Sequence, residues 1–239
     1  MKSFRGGNFS RQTILIFLVG ILGLFVIVFF VTTMMESQSP EEFDKQEIKM
    51  RTDIKVIVDP GHGGIDSGTH DGRGVLEKDI TLEIGLRMRD FLQAQGIPVI
   101  MTRETDDDVS DIDGRGRHRR DLQERVEIIN QGTVAVSIHV NSSYNPKEKG
   151  VVVFYAKDNQ EGKTLGEKVL QELALIQHLN NDFPVPRRNL YLLNNAEIPM
   201  VLVEVGFISN VEDKKKLQDP SYLKKVAEKL GQAVVKHTN

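Results

Sequence analysis

Two histidines and two glutamates stand out in this 239-residue chain, because side chains of these types can hold a metal ion and move a proton. His62 follows a short apolar run and lies among glycines, and His139 lies close to the end of a second apolar run. Glu77 ends the loop that begins with His62, so the chain can fold back and bring its carboxylate beside the imidazole. Two neutral imidazoles and one carboxylate are a ligand set of an open zinc site, which can polarise a carbonyl and lower the pKa of a bound water to about 7.

Glu204 is the fourth of these residues, and it lies inside the apolar segment 200–207. An unpaired carboxylate is costly to bury, so this side chain needs either a partner or a chemical role. One interpretation is a buried salt bridge. The other is a general base and acid beside a metal site.

Predicted strands explain how residues so far apart in sequence could meet. Three segments rich in β-branched residues predict strands, at 54–58, 134–140 and 200–205. In a parallel sheet the carboxyl ends of the strands share one edge, which is where ligands bind in open α/β folds. His62, His139 and Glu204 lie at or near such ends and are therefore expected to converge.

The remaining patterns place these strands in an α/β fold. Two further strands are predicted at 98–101 and 151–155. Apolar residues at helical spacing, with turn and cap residues at the ends, predict helices over 79–91, 121–130, 161–175, 212–218 and 221–236. Alternating strands and helices indicate a mostly parallel sheet with helices on both faces. The highly charged segment 103–120 is interpreted as a solvated surface loop.

The N-terminal part of the chain predicts one transmembrane helix. Residues 14–31 are apolar and no charged residue occurs over 12–35, a length that spans a bilayer core of about 30 Å. Basic residues precede this segment and acidic residues follow it, which places the N-terminus in the cytoplasm. A cleavable signal peptide is the alternative, but no Ala-x-Ala-like site follows the long apolar run. We expect a cytoplasmic segment at 1–11, a transmembrane signal anchor at 12–35, a linker at 36–52 and an external catalytic domain at 53–239.

Composition excludes several other functions. The chain has no cysteine, which removes disulfides, thiolate metal sites and cysteine nucleophiles. A net charge of −3 argues against general nucleic-acid binding. Asn141, on the same strand face as His139, could orient a ligand or a substrate, and His70 could support His62 or be an exposed loop residue. No function is assigned to the remaining histidines, His118, His178 and His237.

Four blocks of sequence, in order, carry a family resemblance. They are residues 59–64 (Asp-Pro-Gly-His-Gly-Gly), Glu77, residues 137–141 (Ser-Ile-His-Val-Asn) and residues 204–210 (Glu-Val-Gly-Phe-Ile-Ser-Asn). Spacing alone leaves open whether these are metal ligands or scattered polar residues. Together, the blocks resemble those of the zinc-dependent N-acetylmuramoyl-L-alanine amidases of the amidase-3 type.

This resemblance implies roles for the four residues. His62, Glu77 and His139 would bind Zn²⁺, and Glu204 would be the catalytic carboxylate. The reaction would be hydrolysis of the amide that joins N-acetylmuramic acid to L-alanine in peptidoglycan. A zinc peptidase acting on stem peptides, and a membrane-anchored wall-binding protein without activity, stay open as alternatives.

A narrower resemblance is to the germination-specific amidases of spore-forming bacteria. It rests on the segments 76–79 and 119–125, and on the layout of one predicted anchor followed by a bare catalytic domain. It implies that the substrate is spore cortex, that stem peptides are removed before muramic δ-lactam forms, and that the protein lies in the forespore envelope. Whether an activating protein partner is needed cannot be read from the sequence.

The segment after His139 bears on access to the site. Some members of the family carry a helix near this point that blocks the metal site. The segment 142–149, which lies between the predicted strands, is only eight residues long and leaves little room for such a helix. We therefore expect an open site.

Overall fold

The computed structural model describes residues 26, 29–30, 53–110, 112 and 114–239. The predicted segments 1–11 and 36–52 lie outside these residues, as does the predicted anchor at 12–35 except for Val26, Phe29 and Phe30. Within the described parts of the chain, no helix is both long and apolar enough to cross a membrane. The anchor therefore stays a prediction from the sequence.

Strands and helices alternate from residue 56 onward. The strands are β1 (Val56–Pro60), β2 (Val99–Met101), β3 (Val134–Asn141), β4 (Val152–Ala156), β5 (Val185–Arg187) and β6 (Met200–Phe207). The helices are α1 (Glu77–Gln93), α2 (Arg117–Ile129), α3 (Gln160–Leu173), α4 (Tyr191–Asn195), α5 (Val211–Leu217) and α6 (Pro220–Thr238). The short elements β5 and α4 were not predicted, because three to five residues give too little periodicity to recognise.

The six strands form one mixed sheet in the order β2-β1-β3-β6-β4-β5. The strands β2, β1, β3 and β6 run parallel to one another, whereas β4 pairs with β6 in the antiparallel direction. The expectation of a mostly parallel sheet is therefore correct for the central strands and needs correction at one side. The ten residues 142–151 between β3 and β4 are too few for the crossover that a parallel return needs.

Helices cover both faces of the sheet, as the sequence predicts. On one face, α1, α3 and α6 bury a core that includes Ile84 and Leu165. On the other, α2 and α4 bury a smaller cluster that includes Ile129 and Leu193. Buried on both sides, the central strands hold their carboxyl ends in fixed positions.

Candidate active site

His62, Glu77 and His139 lie together at the carboxyl edge of β1 and β3. The Glu77 Oε1 atom is 3.1 Å from His62 Nε2 and 3.0 Å from His139 Nδ1. One ligand atom from each of the three residues falls within 4.8 Å of the others. The structure thus brings together three residues that lie up to 77 positions apart in sequence, from His62 to His139.

The donor set fits a zinc ion. Two ligands about 2.0–2.1 Å from a tetrahedral zinc ion lie roughly 3.3 Å apart, close to the separations seen here. The other ring nitrogen of His62, Nδ1, is 2.9 Å from Asp66 Oδ2. A carboxylate in that position fixes the tautomer that leaves Nε2 free to bind a metal. Both imidazoles keep part of their surface exposed, 22% for His62 and 17% for His139, so the cluster can be reached from solvent.

The loop after β1 allows these side chains to approach closely. His62 has a φ of +63°, in the left-handed region that non-glycine residues rarely adopt. A Cβ at Gly61 would lie 2.4 Å from His139 Cε1, and one at Gly68 would lie 2.5 Å from Glu77 Oε2. Glycine at both positions therefore makes room for the two ligand candidates.

Glu77 is held in place by backbone groups. It is the first residue of α1, two positions before the predicted helix start. Its Oε1 accepts a hydrogen bond from the Val140 amide at 2.8 Å, and its Oε2 accepts one from the Thr69 amide at 2.7 Å. These bonds hold the buried carboxylate in an orientation that faces both histidines.

The cluster has strongly shifted pKa values. Burial alone would lower the pKa of His62, but hydrogen bonds to Asp66 and Glu77 outweigh burial and raise it to about 9. Burial would raise the pKa of Glu77, but hydrogen bonds to His139 and His62 outweigh it and lower the pKa to about 2. An ionised Glu77 carboxylate between two imidazoles favours a positive charge beside it.

Glu204 lies beside the cluster, next to His139. It pairs in register with His139 across β3 and β6, so the two side chains lie on the same face of the sheet. Its Oε2 is buried, and within the described residues it has no hydrogen-bond partner and forms no salt bridge. Burial raises the pKa of Glu204 from 4.5 to about 7. The buried salt bridge considered above is therefore not supported, and a carboxylate that titrates near neutral pH suits proton transfer.

A β-bulge shapes β6 next to Glu204. His139 pairs with Glu204 but Asn141 pairs with Phe207, so β6 carries one extra residue. The buried Asp213 carboxylate accepts hydrogen bonds from the amides of Phe207, at 3.0 Å, and Gly150, at 2.7 Å. Asp213 thus satisfies an amide at the irregular end of β6 and ties β6 to the segment before β4.

Two arginines stabilise the loop that carries His62, and the sequence analysis assigned neither of them this role. Arg103 lies in the segment interpreted as a solvated loop, yet it is 5% exposed. Its guanidinium donates to the carbonyls of Pro60, at 3.0 Å, and Gly61, at 2.9 Å. Arg125 pairs with Asp59 at 2.7 Å and donates to the His62 carbonyl. The interpretation of 103–120 as a solvated surface loop is therefore wrong at the buried Arg103 and Ser110, and residues 117–120 form the first turn of α2.

Three further residues considered in the sequence analysis are Asn141, His70 and His118. Asn141 Oδ1 accepts a hydrogen bond from the Ser142 amide, so the structure gives it a turn contact, and its role in orienting substrate stays a prediction. His70 is exposed, and its Nδ1 accepts a hydrogen bond from the Gly72 amide at 3.2 Å. His118 Nδ1 lies 3.8 Å from Asp66, a contact that the sequence did not indicate.

The segment after His139 contains no inserted helix. Residues 142–150 form turns and bends.

Comparison with known proteins agrees with this site. A family model described as Amidase_3, N-acetylmuramoyl-L-alanine amidase, matches residues 56–236. The germination-specific N-acetylmuramoyl-L-alanine amidase of Bacillus subtilis (strain 168) is 38% identical over 189 residues, which cover 76% of this chain and 78% of that protein.

Solved structures are similar in fold as well. The CwlD amidase of Clostridioides difficile, solved in complex with the GerS lipoprotein, matches with a TM-score of 0.72 at 36% identity, over 77% of this chain and 98% of that one. An N-acetylmuramoyl-L-alanine amidase from Clostridium difficile 630 matches with a TM-score of 0.68 at 26% identity, over 78% and 96% of the two chains. With the family model covering the whole α/β domain, this chain belongs to the Amidase_3 family of N-acetylmuramoyl-L-alanine amidases.

Proposed function

We propose that this amidase is a zinc enzyme that hydrolyses the amide between N-acetylmuramic acid and L-alanine, with His62, Glu77 and His139 as metal ligands and Glu204 as the catalytic carboxylate. The observation that carries the proposal is the unpaired Glu204 carboxylate beside a His-Glu-His cluster. When bound, zinc would supply Lewis-acid polarisation of the amide carbonyl and lower the pKa of water.

The protein residues would then perform the proton transfers. Glu204 accepts a proton from the attacking water and returns it to the leaving amine of L-alanine. Asp66 and the amides of Thr69 and Val140 keep His62 and Glu77 in their binding orientation. The products are a free muramic acid lactyl carboxylate and a peptide that begins with L-alanine.

The biological setting is the second part of the proposal. Similarity to a germination-specific amidase supports spore cortex as the substrate, with peptide removal preceding muramic δ-lactam formation. The predicted anchor at 12–35 supports a domain outside the cytoplasm, in the forespore envelope. Because the similar CwlD amidase was solved with a lipoprotein, we also propose that this chain binds an activating protein partner.

Product analysis tests the reaction. Purified protein is incubated with zinc and spore peptidoglycan, and the products are identified by mass spectrometry. We expect peptides with a free L-alanine N-terminus and unsubstituted muramic acid. Cleavage inside the stem peptide would instead establish the zinc peptidase alternative. Protein treated with a chelator, and then resupplied with zinc, is the control for metal dependence.

A further inference from the structure

A cleft of about 230 Å³ lies at the edge of the sheet opposite the His-Glu-His cluster. It is formed where β4 and β5 end, and its lining includes Lys157, Arg187 and Arg188. Because β4 runs antiparallel to β6, the carboxyl end of β4 lies at the other edge from Glu204. The cleft is therefore separate from the amidase site.

The lining of this cleft is positively charged. It contains the three cations Lys157, Arg187 and Arg188 against one carboxylate, that of Asp158. None of the three cations forms an ion pair with a carboxylate in the part of the chain that the structure describes. Like charges that gather without acidic partners, in a chain of net charge −3, favour an external anion.

Packing on one aromatic ring and two hydrogen bonds to backbone carbonyls hold part of the cleft wall in place. The Arg187 guanidinium lies over the ring of Phe154, 4.5 Å from its centroid, and Phe154 is buried. The Lys157 amide donates to the Arg187 carbonyl at 3.1 Å, and the Asn194 side chain donates to the Arg188 carbonyl. Packing on Phe154 therefore limits the movement of the Arg187 guanidinium before any ligand arrives, whereas Lys157 and Arg188 are exposed.

We propose that this cleft binds a phosphate group. A planar guanidinium group can donate two parallel hydrogen bonds to two oxygens of a phosphate group, and a lysine adds a further donor. The volume is below the roughly 300 Å³ at which pockets for drug-sized ligands begin, which suits a single phosphate group. The phosphate could be free in solution or carried by a lipid headgroup, and both sources offer the same chemistry to the arginines.

Calorimetry on the full-length protein in neutral detergent tests the proposal. Inorganic phosphate is titrated in one series and a water-soluble, short-chain phosphatidylglycerol in a second, at constant ionic strength. We expect saturable binding that the Arg187→Gln/Arg188→Gln variant weakens by about tenfold or more, since it loses the charged hydrogen bonds of two guanidinium groups. Binding of phosphate alone identifies the free anion as ligand, and binding of the lipid alone identifies the headgroup.

A matched control removes two charges elsewhere. Lys224→Gln/Lys225→Gln changes exposed positions on α6 and should leave binding unchanged. Both double variants should retain wild-type amidase turnover, which shows that they fold. The proposal fails if neither ligand binds saturably, or if the control variant weakens binding as much as the arginine variant.

Discussion

In the proposed mechanism, Glu204 is the residue on which the chemistry depends most directly. Its buried oxygen has no protein partner among the described residues, so exchange for the neutral, similarly shaped Gln leaves no counter-charge unpaired. Glu204→Gln should lower the rate of L-alanyl peptide release by about 10² to 10⁴ through loss of acid–base catalysis, and it should keep bound zinc. Zinc content and turnover are the measurements, with His62→Ala as the comparison that loses zinc. Wild-type turnover in Glu204→Gln would remove Glu204 from the mechanism.

The same carboxyl group predicts a pH effect on stability. Burial raises the pKa of Glu204 to about 7 in the folded protein, so the folded state binds the proton more tightly than the unfolded state. Below about pH 4.5 both states are protonated and Gln should change little. Above pH 7 the wild-type protein must bury the charge, so Glu204→Gln should raise the free energy of unfolding of chelator-treated protein by up to about 3 kcal/mol.

Denaturant unfolding of both proteins at pH 4.5 and pH 8 measures this difference. The gain should be confined to the higher pH, because only there does the wild-type carboxyl group carry its charge. An equal gain at both values would show that the variant improves packing instead.

The candidate site residues could be predicted from the sequence, but the residues that hold them in place could not. His62, His139 and Glu204 could be found because histidine beside glycine, or glutamate in an apolar strand, is unusual for its surroundings. Arg103 could not, because an arginine in a charged segment has the ordinary composition of a surface loop. Its burial depends on carbonyl partners about 40 residues away in sequence, at Pro60 and Gly61.

At the scale of elements, the loop after β1 depends on Arg103 for its shape. Arg103→Lys keeps the charge but loses the fork that reaches the carbonyls of Pro60 and Gly61 together. We expect zinc affinity to fall by about 10- to 100-fold, as for other residues that orient ligands, in a protein that remains folded. Competition with a zinc chelator measures the affinity. Arg89→Lys, which changes an arginine on α1 with exposed acidic partners, is the control and should leave affinity unchanged.

The end of β6 depends in a similar way on Asp213. Asp213→Ala would leave the buried amides of Phe207 and Gly150 without an acceptor. Each loss costs about 1–3 kcal/mol, so we expect a clear fall in the free energy of unfolding. The exposed Asp182→Ala is the control, and its unfolding curve should match the wild type. A stable Asp213→Ala protein would show that water or a local shift can satisfy both amides.

Strand direction was only partly predictable. The apolar segments located five of the six strands, but strand patterns carry no direction, and the alternation with helices favoured parallel pairing. The length of the connection between β3 and β4 was the available indication. Ten residues cannot return the chain to the other edge through a helix, so β4 starts at the site edge and runs back. Short elements such as β5 depend on their neighbours for pairing and were not visible in the pattern.

For the whole molecule, the candidate amidase site and the cationic cleft lie at opposite edges of the sheet. The four candidate site residues lie at the edge of the sheet where β1, β3 and β6 end; they are His62, Glu77, His139 and Glu204. The cationic cleft lies at the other edge. β1 begins at the same edge of the sheet as the cleft, at Val56, four positions after the predicted linker at 36–52. Substrate and a phosphate group could therefore be bound at the same time without competing for the same surface.

The N-terminal apolar stretch predicts the topology of the protein in the cell. The uncharged stretch at 12–35 is long enough to span a bilayer, with basic residues before it and acidic residues after it. Residues 53–239 should therefore lie outside the cytoplasm on an uncleaved anchor. Protease added to intact protoplasts should remove a C-terminal tag and leave the N-terminal segment protected. A variant that carries lysines in place of Leu18 and Leu24 disrupts the apolar stretch and is the control, because its tag should become protected as the domain stays inside. Protection of the wild-type tag, while other external domains are digested, would contradict the predicted orientation.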